Sequence, residues 1–102
     1  MDDILQRYPR HSDQTTWQEI GEEIIILDVD SGAYFGVEGA GARVWLLADG
    51  TRTGENIAEQ IAGEYEVELA EARTDVSEVV ADLLESGLLT CDMSPAEPPP
   101  SG

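Results

Sequence analysis

Lysine is absent from this 102-residue chain, and its five basic residues are all arginine. Against them stand 22 Asp and Glu, a formal net charge of −17. Such a field repels phosphate backbones and anionic bilayers, which argues against a nucleic-acid or membrane partner and favours basic ones. Much of the charge is also what a solvated surface needs. Cysteine occurs once, at Cys91, so no internal disulfide forms and no Cys/His metal set can be assembled. Histidine also occurs once, at His11, in a polar stretch. No apolar run is long enough to span a bilayer. The first residues carry Asp2 and Asp3 and lack the apolar core of a signal peptide. A reducing cytoplasm is the default setting for such a chain. Its length fits one small domain with a modest core.

What is present is an ordered series of short elements. Residues 1–13 are polar and contain Pro9, and read as a flexible N-terminal arm. Residues 14–90 read as the folded domain, and residues 91–102, rich in proline, as a disordered tail. Thr15 to Ile20 has strand composition. Glu23 to Asp28 encloses Ile24, Ile25, Ile26 and Leu27, apolar on both alternating faces, the pattern of a central strand covered on both sides. The turn Asp28-Val29-Asp30-Ser31-Gly32 reverses the chain into a short strand, Ala33 to Val37. In a three-stranded meander that strand lies at an edge with one row of backbone groups unpaired.

Three helices are expected next. The first covers about Gly39 to Ala48, with Ala40, Val44, Leu47 and Ala48 inward and Gly50 as its stop. Thr53 is the N-cap of the second, whose stripe is Ile57, Ala58, Ile61, Ala62 and Tyr65 and whose expected stop is Gly63. The third begins near Leu69. Leu69, Ala72, Val76, Val79, Val80, Leu83 and Leu84 recur at three and four, and Glu68, Glu71, Asp75, Glu78, Asp82 and Glu85 run beside them. One position is about 100° of helix, so an acidic stripe flanks the apolar one throughout. Gly87 stops this helix, and Leu88 and Leu89 are expected to pack back.

No motif for bond-making chemistry interrupts this layout. The Asp28–Gly32 turn resembles the start of a calcium loop, but Gly39 stands where the bidentate Glu is required. Ser31 lies between strands and is not followed by Leu, unlike the modified Ser of an acidic carrier protein. A winged helix-turn-helix would present the third helix to DNA, and that helix carries six carboxylates and one arginine, the wrong sign for phosphate. His11 and Cys91 fall in the expected mobile ends, leaving no nucleophile, base and orienter within reach of one another. Catalytic residues, metal ligands and cofactors are therefore not assigned. The edge strand is the most suggestive feature. Phe35 shares a face with Ala33 and Val37 and should point to the core, while Tyr34 should be more exposed. An exposed aromatic on an unpaired edge beside an apolar helix suits strand addition by a peptide. The same edge would also suit dimerisation.

Leu27-Asp28, Gly32-Ala33-Tyr34-Phe35-Gly36-Val37, Gly41-Ala42-Arg43-Val44-Trp45, Glu64-Tyr65-Glu66-Val67, Asp75-Val76 and Leu83 through Gly87-Leu88-Leu89 together resemble the PqqD-like family. Its members are leader-peptide recognition elements of ribosomally synthesised, post-translationally modified peptides. The resemblance covers roughly residues 15 to 90. Departures are mild: Val37-Glu38 replaces the usual Leu-Asn, and Glu68-Leu69 the usual Asp-Pro. The resemblance implies an α+β, winged-helix-like fold, a three-stranded antiparallel sheet followed by three helices. It implies a non-catalytic protein that binds the leader of a precursor peptide as an added strand and presents it to a modifying enzyme. Ala33, Tyr34, Phe35, Gly36 and Val37 would supply the backbone ladder. Val76, Val79, Val80 and Leu83 would supply an apolar wall, and Asp75 and Asp82 would meet polar or basic leader groups. The run Tyr34-Phe35-Gly36 with Gly41-Ala42-Arg43-Val44-Trp45 is similar to the standalone leader-binding proteins of split lasso-peptide systems, whose partner is a cysteine-protease-like leader peptidase. The alternative is a PqqD-type chaperone delivering its precursor to a radical S-adenosylmethionine enzyme.

Overall fold

A computed structural model describes residues 4–95. A short 3-10 turn, Ile4–Gln6, leads into β1 (Tyr8–His11), β2 (Thr15–Ile20), β3 (Glu23–Asp28) and β4 (Tyr34–Glu38). Then come α1 (Ala40–Leu47), α2 (Gly54–Tyr65), α3 (Leu69–Glu85) and β5 (Leu89–Asp92). Strands β2, β3 and β4 form an antiparallel meander in that order, followed by three helices, as expected of the fold class. β4 is an edge.

Each turn of the meander has a local cause. Asp28 folds its carboxylate over the β3–β4 turn, where Oδ1 accepts from the backbone N–H of Asp30 at 3.0 Å. Gly32 then takes a φ of 78°, which a side chain would resist. Strand β4 begins one residue later than expected, at Tyr34, and runs through Glu38. Ile24 and Ile26 of β3 are buried under the helices. Ile25 and Leu27 point to the other face, which no element among the described residues covers and where they line a shallow depression with Thr16, Gln18, Ile20 and Tyr34. The expectation that β3 is covered on both sides is thus corrected: three strands and three helices make two layers, and the second face has no layer to meet it.

The helices are set by their caps. Thr53 and Asn56 form a reciprocal box, Asn56 N–H to Thr53 Oγ1 at 3.0 Å and Thr53 N–H to Asn56 Oδ1 at 3.1 Å. A cap of this kind contributes about 1 kcal/mol. Gly63 does not end α2, which continues to Tyr65 and turns at Glu66 in a left-handed conformation with φ 56°. A glycine weakens a helix without ending it unless its own φ turns positive. The third helix closes as expected, with Gly87 at φ 78° and Leu88 N–H reaching back to the Leu83 carbonyl at 2.9 Å. Leu88 and Leu89 return into the core.

The ends of the chain differ most from the sequence reading. Residues 8–11, expected within the N-terminal arm, pair antiparallel with residues 89–92, which include the first two residues of the expected tail. Pro9 is tolerated because a two-stranded ladder leaves one side of each strand unpaired, and its carbonyl accepts from Gly50 N–H at 2.9 Å. The remainder of the tail, residues 96–102, lies outside the described residues, as do residues 1–3. Behind this clasp His11 lies flat on Trp45, ring centroids 3.7 Å apart and planes 6° off parallel. Its Nε2–H donates to the Trp45 carbonyl at 2.7 Å, which identifies the protonated nitrogen because a carbonyl only accepts. Trp45 is fully buried.

Candidate functional site

The trans peptide between Ala33 and Tyr34 decides which way β4 presents its backbone. The Ala33 carbonyl accepts from Asp28 N–H at 2.9 Å, so it faces β3. The next N–H in a planar trans unit points the opposite way. The N–H and C=O of Tyr34 therefore face away from the sheet, and strand alternation gives the same direction to Gly36. Phe35 and Val37 face β3 with their backbones, opposite Ile26 and Ile24.

Beside this edge, α1 and α3 leave a groove. Its floor is Val37, Gly41, Val79 and Leu83, with Ala40 at one end. Its rim is acidic: Glu38 from β4, and Asp75, Glu78 and Asp82 from α3. The α3 residues recur at i, i+3 and i+7, which puts them on one helical face. Gly39 makes the approach of α1 feasible, since its φ of 60° and ψ of −134° turn the chain sharply between β4 and α1.

The eleven residues singled out from sequence separate into three groups. Val37, Asp75, Val79, Asp82 and Leu83 line the groove. Ala33, Tyr34, Phe35 and Gly36 run along the strand edge, with Tyr34 71% exposed and Phe35 half-buried. Val76 and Val80 are fully buried in the core and reach no surface. Glu38, Ala40, Gly41, Glu78 and Ala81 complete the lining and are not among those eleven. The signal for Glu78 was already in the acidic repeat of α3, whereas placing Ala40 and Gly41 requires knowing how α1 packs. His11 and Cys91 do not line the groove, and among the described residues no group of three or more His, Cys, Asp and Glu is arranged to hold a metal. Burial raises the Cys91 thiol above its ordinary pKa, which keeps it protonated and unreactive. Among the described residues no helix is long and apolar enough to cross a membrane.

The family model for coenzyme PQQ synthesis protein D (PqqD) matches residues 23–89, from the start of β3 to the start of β5. The chain belongs to the PqqD family. Solved structures extend the likeness. TbiB1, determined in complex with the TbiA(beta) leader peptide, is 32% identical with a TM-score of 0.72, over 78% of this chain and 93% of that one. A lasso peptide synthetase B1 complexed with its leader peptide is 26% identical at a TM-score of 0.72, over 81% and 98%. The PqqD truncation of Methylobacterium extorquens PqqCD, described as a stand-alone recognition element for ribosomally synthesised and post-translationally modified peptides, shares the fold at 20% identity and a TM-score of 0.67, over 80% of this chain and 87% of that one. Comparison with curated proteins finds no match. Within the PqqD family, the matched region holds β4, the groove and all of α3, and leaves β1 and β2 outside.

Proposed function

We propose that this chain is a leader-peptide recognition element with no catalysis of its own. The leader of a ribosomal precursor peptide adds to the free edge of β4 as an extended strand and places alternate side chains in the groove against α3. The observation that carries this is the outward row of backbone groups at Tyr34 and Gly36 beside an apolar floor, in a chain 32% identical to a protein solved with a leader peptide. Holding the leader raises the effective concentration of the core peptide at a separate modifying enzyme. The lasso peptide synthetase B1 neighbour favours a leader peptidase as that enzyme, working in the cytoplasm, where Cys91 stays a free thiol. The family match keeps a second reading in view, delivery to a radical S-adenosylmethionine enzyme. Co-purification of the chain with each candidate enzyme separates the two.

The test uses the leader of a short precursor peptide sought among the genes beside this one. Binding is expected in the micromolar to nanomolar range, about −8 to −12 kcal/mol. Tyr34→Pro removes a backbone donor that faces the edge, and weakens binding about tenfold or more. Tyr34→Ala keeps that donor and separates the ladder from the ring. Both variants sit at an exposed edge position, so folding is checked by their amide spectra. Equal binding by the Pro and Ala variants, or perturbations restricted to α2, would rule out strand addition at β4. A chain that changes the mass of its precursor unaided would rule out the non-catalytic role.

A further inference from the structure

Among the described residues the groove is lined by four carboxylates and no arginine. Glu38, Asp75, Glu78 and Asp82 rim it, and none takes part in an ion pair among the described residues. The chain has no lysine to supply one. Its arginines are engaged elsewhere: Arg10 with Asp92 and Asp13, Arg43 with Glu64, Arg52 with Asp49, and Arg73 with Glu55. Arg7 is in no ion pair with the rim, and its charge acts on Cys91. α3 adds to the imbalance. Its last turn contains no basic side chain to offset the rim carboxylates.

An apolar floor between unpaired carboxylates constrains what can lie there. A neutral or acidic peptide would displace water from those carboxylates without returning opposite charge. A cationic peptide replaces the lost water with opposite charge. Asp75 and Asp82 are seven residues apart, roughly 10 Å along the helix axis. An extended strand covers that distance in about three residues.

We infer that the groove selects a cationic leader segment: an extended stretch in which an apolar side chain seats on Val37, Val79 and Leu83 while two or more Lys or Arg within about four residues meet Glu38, Asp75, Glu78 and Asp82. The inference rests on the groove being the leader site and goes beyond it by naming the chemistry of the segment held there.

The probes are three capped synthetic peptides that share one alternation of leucine, valine and threonine. At three of the threonine positions they carry lysine, glutamine or glutamate. Amide shifts of the isotope-labelled full chain report both place and affinity. Perturbations of β4 and α3 are expected, in the order lysine, glutamine, glutamate, with the lysine peptide about tenfold tighter than the glutamine peptide at low salt. That advantage shrinks to about twofold at high salt, where screening acts within a few ångström. A variant with Glu38→Gln, Asp75→Asn, Glu78→Gln and Asp82→Asn loses the order while keeping its fold, since removing like charges from a surface relieves repulsion. A preference that survives in this variant traces to the whole-molecule field and overturns the inference. Equal affinity of all three peptides at β4 and α3 overturns the charge requirement and leaves peptide capture standing. Absence of any perturbation at β4 and α3 with every peptide overturns both.

Discussion

The end of the molecule where β1 meets β5 and the end where β4 meets α3 are finished in opposite ways. At the clasp, polar groups are matched. Arg10 Nε donates to Asp92 Oδ2 at 2.7 Å, His11 caps the Trp45 carbonyl, and Gln14 Nε2 donates to the Gly87 carbonyl at 3.0 Å. Ser12, the buried polar residue of the core, gives its N–H to the Leu88 carbonyl at 3.0 Å. At the groove, among the described residues, the strand edge has no neighbouring strand and the carboxylates have no ion-pair partner. Buried polar groups cost free energy when unmatched, and exposed ones do not, so the first end can hold the fold and the second can be left open for an extended partner. The exception at the matched end is Trp45 itself, whose indole N–H is buried without a partner among the described residues. The stacked imidazole occupies the face of that ring and offers its edge nothing to donate to.

The comparison breaks most visibly at Trp45. Trp45→Ala removes a fully buried ring on which His11 stacks and against which Trp17 stands edge-on at 6.5 Å. A loss of about 3–5 kcal/mol is expected, enough to unfold much of a domain this small. Val79→Ala trims a half-buried side chain at the groove floor and should cost roughly 1 kcal/mol or less, because the site already opens to solvent. Urea unfolding of the two variants measures the contrast. Similar losses would mean that the groove is as much a part of the core as the clasp.

The same contrast explains what could be read from sequence. β2 and β3 match their expected bounds, and the three helices occur where the stripes and the Thr53 cap put them, because period, cap and turn are all local signals. The β1–β5 ladder joins residues about eighty apart, and Tyr8-Pro9-Arg10-His11 has no alternation and contains a proline, so nothing local announces a strand. The buried centre at Trp45 was hidden for a related reason, since its stacking partner comes from that same stretch. At the groove, the apolar stripe of α3 was legible but its division was not. Val76 and Val80 are interior, Val79 borders solvent, and Leu83 serves both sides. A stripe gives a helix face to within one or two positions, and the neighbouring elements decide which rows are covered.

A smaller effect tests the element that both ends share. α1 carries Trp45 toward the clasp and Gly41 toward the groove, and Arg43 ties it to α2 through a two-pronged pair with Glu64, at 2.8 Å and 2.7 Å. The guanidinium, helped by Gln60, holds the Glu64 carboxyl down at about 2. The folded pKa is below the unfolded one, so this pair stabilises the fold above about pH 4.5 and the stabilisation is lost as pH falls toward 2. Both side chains are about a third exposed, at 34% and 33%, so solvent screening limits the effect to about 1 kcal/mol or less. Glu64→Gln should flatten that part of the acid-unfolding curve by a corresponding amount. An unchanged slope between pH 4.5 and 2.5 would show that the pair contributes nothing measurable.

The smallest effect expected belongs to His11, and its sign is opposite to that of a histidine gaining an acidic partner. Burial against Trp45 lowers its pKa from 6.5, opposed by the hydrogen bond to the Trp45 carbonyl and by the charge of Asp49. The unfolded chain then takes up the proton more readily than the folded one. Stability is full above pH 6.5 and declines as pH falls through the interval down to the folded pKa. The two opposing contributions keep the decline small. His11→Phe preserves a ring to stack on Trp45 and removes the titration, so its stability should be level between pH 7.5 and 5.5 while the parent's falls. Because the imidazole lies on one tryptophan and stands edge-on to Trp17 at 6.0 Å, tryptophan fluorescence reports its protonation directly. A fluorescence titration of the folded protein with a midpoint at or above 6.5 would mean that the carbonyl and Asp49 outweigh burial. The matched end would then grow more stable on mild acidification, the reverse of the behaviour expected here.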